Sequence, residues 1–167
     1  HIAYGHTSHG SQLTTGMTEL VSFMNGLGYP TNLYAWRSGG AGGALDLRDT
    51  PFSEAEDLGN PDRTAWAAAT RNYLNTHPDC NVVIWSWCGQ ADTPNPQDIN
   101  LYLSLMTQLE NDYPGVRFVY MTGHLAGTGL TGDLHRRNDQ IRDYCRTYAR
   151  ILYDFEDIES YDPDGVY

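Results

Sequence analysis

Short apolar runs alternate along this chain with longer stretches in which apolar residues recur every three or four positions. Ile2–Gly5 is the first short run. Between Leu13 and Leu27, the residues Leu13, Met17, Leu20, Val21 and Met24 fall at helical spacing, and Gly26 and Gly28 are good stop signals. Asn32–Trp36 reads as a second strand. Gly39–Gly43 then places four glycines in five residues, a backbone that can bend where others cannot. Residues 44–62 are irregular and acidic and read as a surface loop. Asp62 can cap an Ala-rich helix over Ala65–Leu74. The unbroken apolar run Asn81–Trp87 suits a strand covered on both faces. A Pro-rich turn precedes a helix over Ile99–Leu109, Val116–Met121 reads as a strand, Gly132–Tyr148 as a polar amphipathic helix, and Arg150–Phe155 as the last strand.

Strand and helix in alternation with short loops imply parallel strands joined by right-handed crossovers. The expectation is an α/β three-layer sandwich: one domain over residues 1–167, with a five-stranded parallel, flavodoxin-like sheet in the order 2-1-3-4-5. No repeat, low-complexity tract or linker divides the chain.

Composition narrows the partners. The formal net charge is -11, and all ten basic residues are Arg. Nothing here neutralises a run of phosphates, so neither nucleic acid nor an anionic membrane surface is expected as a partner. The apolar runs are too short to span a bilayer. No signal peptide is visible. The acidic balance and 12% aromatics suit a secreted or cell-surface protein that meets a small-molecule or polysaccharide substrate. Cys80, Cys88 and Cys145 form no CxxC pair. Cys80 and Cys145 both belong at the bottom of the sheet and are the candidate disulfide, if their Cα atoms come within about 7 Å.

In an open parallel sheet, ligands bind beyond the carboxyl ends of the strands. The segments after the expected strands are "GHTSHGS", "RSGGAGG", "CGQAD", "TGHLAGTG" and "EDIESYD", and four of the five are dense in Gly and hydrogen-bonding side chains. His6, Ser8, His9, Gln90 and His124 therefore share the edge where function is expected. Strand tips two places apart are separated by about 9.6 Å, a gap that a serine and a histidine leaning together can just close. Asp157, with Asp154 and Glu156 beside it, can orient His124 from its far side. Trp36 and Arg37, near a tip, are candidates to touch substrate.

These residues resemble the SGNH, or GDSL-like, hydrolases. That family places a nucleophilic Ser after its first strand, a Gly after the second and an Asn after the third, the last two helping to hold an oxyanion. By this resemblance Ser8 falls at the nucleophile position of "HTSHG", Gly39 or Gly40 fits the second position, and Gln90 of "WCGQAD" supplies an amide in place of Asn. Thr7 stands where the family has Asp. The family's late Asp-x-x-His has no match, the nearest string being "DGVY" at residues 164–167, so the base is His124, His9 or His6 unless it lies beyond Tyr167.

The resemblance implies a hydrolase that cleaves an ester, and the acidic, aromatic composition suits an ester on a carbohydrate. Ser8 attacks, His124 is the base, and Gln90 with backbone N–H groups near Ser8 and Gly40 holds the oxyanion. No cofactor is implied. His6 and His9 form H-x-x-H, but no Cys or firm acidic ligand completes a set with His124, so no metal is assigned. Two alternatives stay open: lyase-type proton abstraction from a polysaccharide, and an inactive carbohydrate-binding module of the same fold.

Overall fold

The computed structural model describes residues 1–30, 32–88, 93–125 and 127–166. Among these residues, six strands form one parallel sheet: β1 (Ile2–Gly5), β2 (Trp36–Arg37), β3 (Leu45–Asp49), β4 (Val82–Trp85), β5 (Arg117–Met121) and β6 (Ile151–Tyr153). Their order is β2-β3-β1-β4-β5-β6. Without the two-residue edge strand β2, this is the expected flavodoxin-like order. The register is level, with Gly5 beside Trp85 and Met121 beside Tyr153, so the strands end along one rim.

The expected second strand is displaced. The strand beside β1 is β3, inside the segment read as a loop, and the strand expected over Asn32–Trp36 contributes only the short β2. Leu45-Asp46-Leu47-Arg48-Asp49 alternates apolar and polar residues, the period-two pattern of a strand near a sheet edge. Leu47 is buried on one face, while Asp46 and Arg48 pair through their side chains.

Among the described residues, five α-helices flank the sheet: α1 (Ser11–Gly26), α2 (Ala65–Thr76), α3 (Pro96–Asp112), α4 (Asp133–Thr147) and the short α5 (Phe155–Ser160). Helix α3 starts in a capping box: Asn95 accepts from the Asp98 N–H, Asp98 accepts from the Asn95 N–H, and Pro96 occupies the first turn. Residues of α2, α3 and α4 pack with Ala3, Val83, Trp85, Phe118 and Tyr120 on one face. Trp85 and Trp87, two residues apart, both belong to this cluster. The alternate residues Tyr4, Leu47, Ile84 and Met121 face the other way, toward Phe155 and toward Leu13 and Met17 of α1. That second face is thinly covered, because Thr14 is the one buried residue of α1.

All three cysteines are free, so the candidate Cys80–Cys145 disulfide is not formed. The sheet order explains this. Cys80 leads into β4, Cys145 lies near the end of the helix feeding β6, and β5 separates the two strands. Burial raises both thiol pKa values, that of Cys145 to about 12.

Candidate functional site

Immediately after β1 the chain makes a tight 3-10 turn, Ser8–Gly10, and passes directly into α1. Two glycines permit the close fit. A Cβ on Gly5 would strike the Trp85 ring, and one on Gly10 would strike Ser86 and His6. Tyr4 is buried beneath the turn and donates its hydroxyl to the Gly10 carbonyl at 2.8 Å. Burial pushes its pKa up, which keeps it a donor.

Neighbouring side chains anchor this turn. Thr7 donates its hydroxyl to Asp57 at 2.7 Å, and Asp57, fully buried, also accepts the Gly59 N–H. The Ser8 carbonyl accepts the Ser11 hydroxyl at 2.7 Å. Between these anchors, Ser8 has φ of 38°, in the left-handed region that a non-glycine residue seldom occupies. Its side chain is exposed at the rim.

Three histidines surround the turn. His6 is buried and donates Nε2–H to Asp49, at the end of β3, at 2.5 Å. A carboxylate only accepts, so the neutral ring carries its lone pair on Nδ1, which is buried and has no hydrogen-bond partner among the described residues. His124 has the opposite tautomer. Its Nδ1–H is donated to the Leu125 carbonyl at 2.8 Å, leaving the lone pair on a buried, unpartnered Nε2. The rings of His9 and His124 stack, with centroids 3.8 Å apart and planes 9° from parallel. The gap between the tips of β1 and β5 is thus bridged by ring contact. The bridge is made by His9, the neighbour of Ser8; Ser8 and His124 share no hydrogen bond among the described residues.

This stack bears on metal binding. An imidazole lone pair lies in its ring plane, and two near-parallel planes 3.8 Å apart do not converge on one ion. Among the described residues, no group of three or more His, Cys, Asp or Glu side chains could hold a metal.

The segment carrying His124 is clamped from behind. Asn138 of α4, buried, accepts the Gly123 N–H at 2.8 Å and donates Nδ2–H to the Gly123 carbonyl at 3.4 Å. Thr122 donates to Asp154 and accepts from the Glu156 N–H. Leu125 N–H goes to Glu159 at 2.6 Å. Arg142 ties Asp154 and Glu156 to α4, at 2.7 and 2.9 Å. Burial acts to raise the Asp154 carboxyl pKa, but hydrogen bonds and charge from Arg142, with Thr122, hold it below the ordinary value.

Several expected roles change. Asp157 is exposed in the first turn of α5 and does not orient His124, whose Nδ1 is held by a backbone carbonyl. Gly40 lies after β2, two strands from β1, and its N–H is engaged by the Arg37 carbonyl. The Gly39 N–H is engaged by Asp46. Neither is a free oxyanion donor. Arg37 is exposed on the edge strand. Trp36 packs partly into the second cluster and lines an edge cleft of about 390 Å³ that includes Asp49, Arg48 and Tyr73. Gln90 lies outside the described residues.

Asp49, Asp57 and Asn138 belong to the site although the sequence reading missed them. A signal existed for Asn138: it falls in register with Leu134, Ile141 and Cys145 on the buried stripe of α4. Another existed for Asp49, in the alternation of β3. Comparison with protein-family models, with curated proteins and with solved structures finds no match to this chain.

Proposed function

We propose that the chain is a hydrolase that cleaves an acyl ester, with Ser8 as nucleophile and His124 as base. One observation carries the reading. His124 presents a buried lone-pair nitrogen, with its tautomer set by the Leu125 carbonyl, on a ring stacked against the residue that follows Ser8. Ser8 Oγ attacks the ester carbonyl carbon while its proton passes to His124 Nε2. The tetrahedral intermediate collapses, and the alcohol leaves with that proton. Water, activated by the same nitrogen, then releases the acid from the acyl-serine. The edge cleft bordered by Trp36, Arg48 and Asp49 suits the alcohol portion, and its aromatic and hydrogen-bonding lining fits a carbohydrate. The sequence resemblance to SGNH hydrolases supports the same assignment of Ser8.

A phosphonate probe and an acetylated sugar test this. Wild type is expected to label at Ser8 and release acetate. Ser8→Ala is expected to lose labelling and about 10⁴-fold or more of its turnover. Full turnover in Ser8→Ala refutes the serine mechanism.

The second reading, proton abstraction by histidine, is favoured by the lack of a Ser8–His124 hydrogen bond beside two unpartnered nitrogens, His9 Nδ1 and His124 Nε2. It predicts an unsaturated sugar product, formed equally well by Ser8→Ala.

A further inference from the structure

We propose that the groove between α1 and α5 binds the acyl chain of the ester, and that the substrate carries an unbranched alkyl chain of medium length. The inference rests on the hydrolase reading. The groove has a volume of about 530 Å³, within the range of small-molecule sites, and its lining is mainly apolar: Leu13, Gly16, Met17 and Leu20 of α1 face Phe155 and Ile158 of α5.

Position ties the groove to the chemistry. Gln12 marks one side of its upper end, one residue into the helix that leaves the Ser8–Gly10 turn. Glu159 marks the other side, and it holds the N–H of Leu125, next to His124. From this mouth the groove follows α1 as far as Leu20, about 12 Å from Gln12 at the helical rise, away from the edge cleft that borders Asp49. An ester at the rim would send its acyl chain to one side of Ser8 and its alcohol to the other.

Charge and exposure agree. In a chain of net charge -11, Glu19 is the one charged residue within α1. Leu20 and Ile158 are 41% and 56% exposed, a surface that an alkyl chain would cover. Glu159 at the mouth disfavours an anionic head group, so the neutral ester is held in preference to its carboxylate product. Gly16 leaves room: it lines the groove, and a Cβ there meets no atom within 4 Å.

The experiment compares p-nitrophenyl acetate, butyrate and octanoate, and titrates octyl glucoside below its micelle concentration, using wild type and Gly16→Phe. In wild type, kcat/KM should rise about two- to fourfold per added methylene, from the free energy of burying each. In Gly16→Phe, the octanoate-to-acetate ratio should fall to near one and octyl glucoside binding should weaken at least tenfold, while acetate turnover reports that the variant is folded. A flat chain-length series in wild type, or a Gly16→Phe protein with the wild-type ratio, overturns the proposal. If no ester is hydrolysed, the hydrolase reading fails, and the titration alone decides whether the groove binds an alkyl chain. Self-association in sedimentation that Gly16→Phe abolishes assigns the face to a second copy and also overturns the proposal.

Discussion

His6 and His124 leave opposite, buried ring nitrogens without a partner among the described residues because the bonds they do make differ: to a carboxylate at the end of β3 for one, to the next residue's carbonyl for the other. The placement of His124 depends further on Asn138, which holds both backbone polar groups of Gly123. Asn138→Leu should leave both groups buried without that partner, at about 1–3 kcal/mol each. In wild type, long-range proton–nitrogen correlation is expected to find His124 protonated at Nδ1 and His6 at Nε2. Asn138→Leu should mix the tautomers of His124 while leaving His6 unchanged. Retention of a single Nδ1–H form at His124 would show that Asn138 has no positioning role. The three rim histidines were legible because each follows a strand whose end could be read. The roles of Asp49 beside His6, Asp57 beside Thr7 and Asn138 beside Gly123 were not, since periodicity marks a residue as part of a strand or a buried stripe without naming the partner it will meet 15 to 50 positions away.

Elements with complete local signals formed close to where the pattern put them. The helix expected over Ile99–Leu109 runs over Pro96–Asp112, because the cap at Asn95 and the proline after it fix its start. Replacing Asn95 with Ala should cost about 1 kcal/mol, read as a lower urea midpoint at unchanged slope. An unchanged midpoint would mean that the capping box adds nothing. Helix α1 also begins and ends near its expected bounds, but its apolar residues are only half covered. Helical spacing gives a face; it does not say how fully a sheet will bury that face. Strand β3 was missed because its apolar positions are just Leu45 and Leu47, and the acidic residues between and around them read as loop. Its parallel pairing with β1 through Leu47, Arg48 and Asp49 makes it a strand.

Across the whole molecule, the carboxyl-end rim gathers the candidate residues while an ion network behind it joins α4 to Asp154, just after β6, and to Glu156 of α5. Arg142 is partly buried between Asp154 and Glu156. The folded pKa of Asp154 lies below its unfolded value of about 3.9, so this contribution to stability is present above that value and is lost as pH falls through the folded pKa. Arg142→Met should therefore destabilise the protein at pH 7 by about 3–5 kcal/mol, because two partly buried carboxylates lose their cation. The difference from wild type should shrink below pH 4, as followed by urea unfolding across the acid range. A constant difference at every pH would remove the ion pairs from the explanation. The parallel α/β architecture and the rim position of His6, Ser8, His9 and His124 followed from the amino-acid pattern, because strand and helix periods are local and parallel topology sends every strand end the same way. Contact between the His9 and His124 rings, the pairing of His6 with Asp49 and the open apolar groove were decided only by folding, since they depend on strand order and on how closely α1 and α5 approach the sheet.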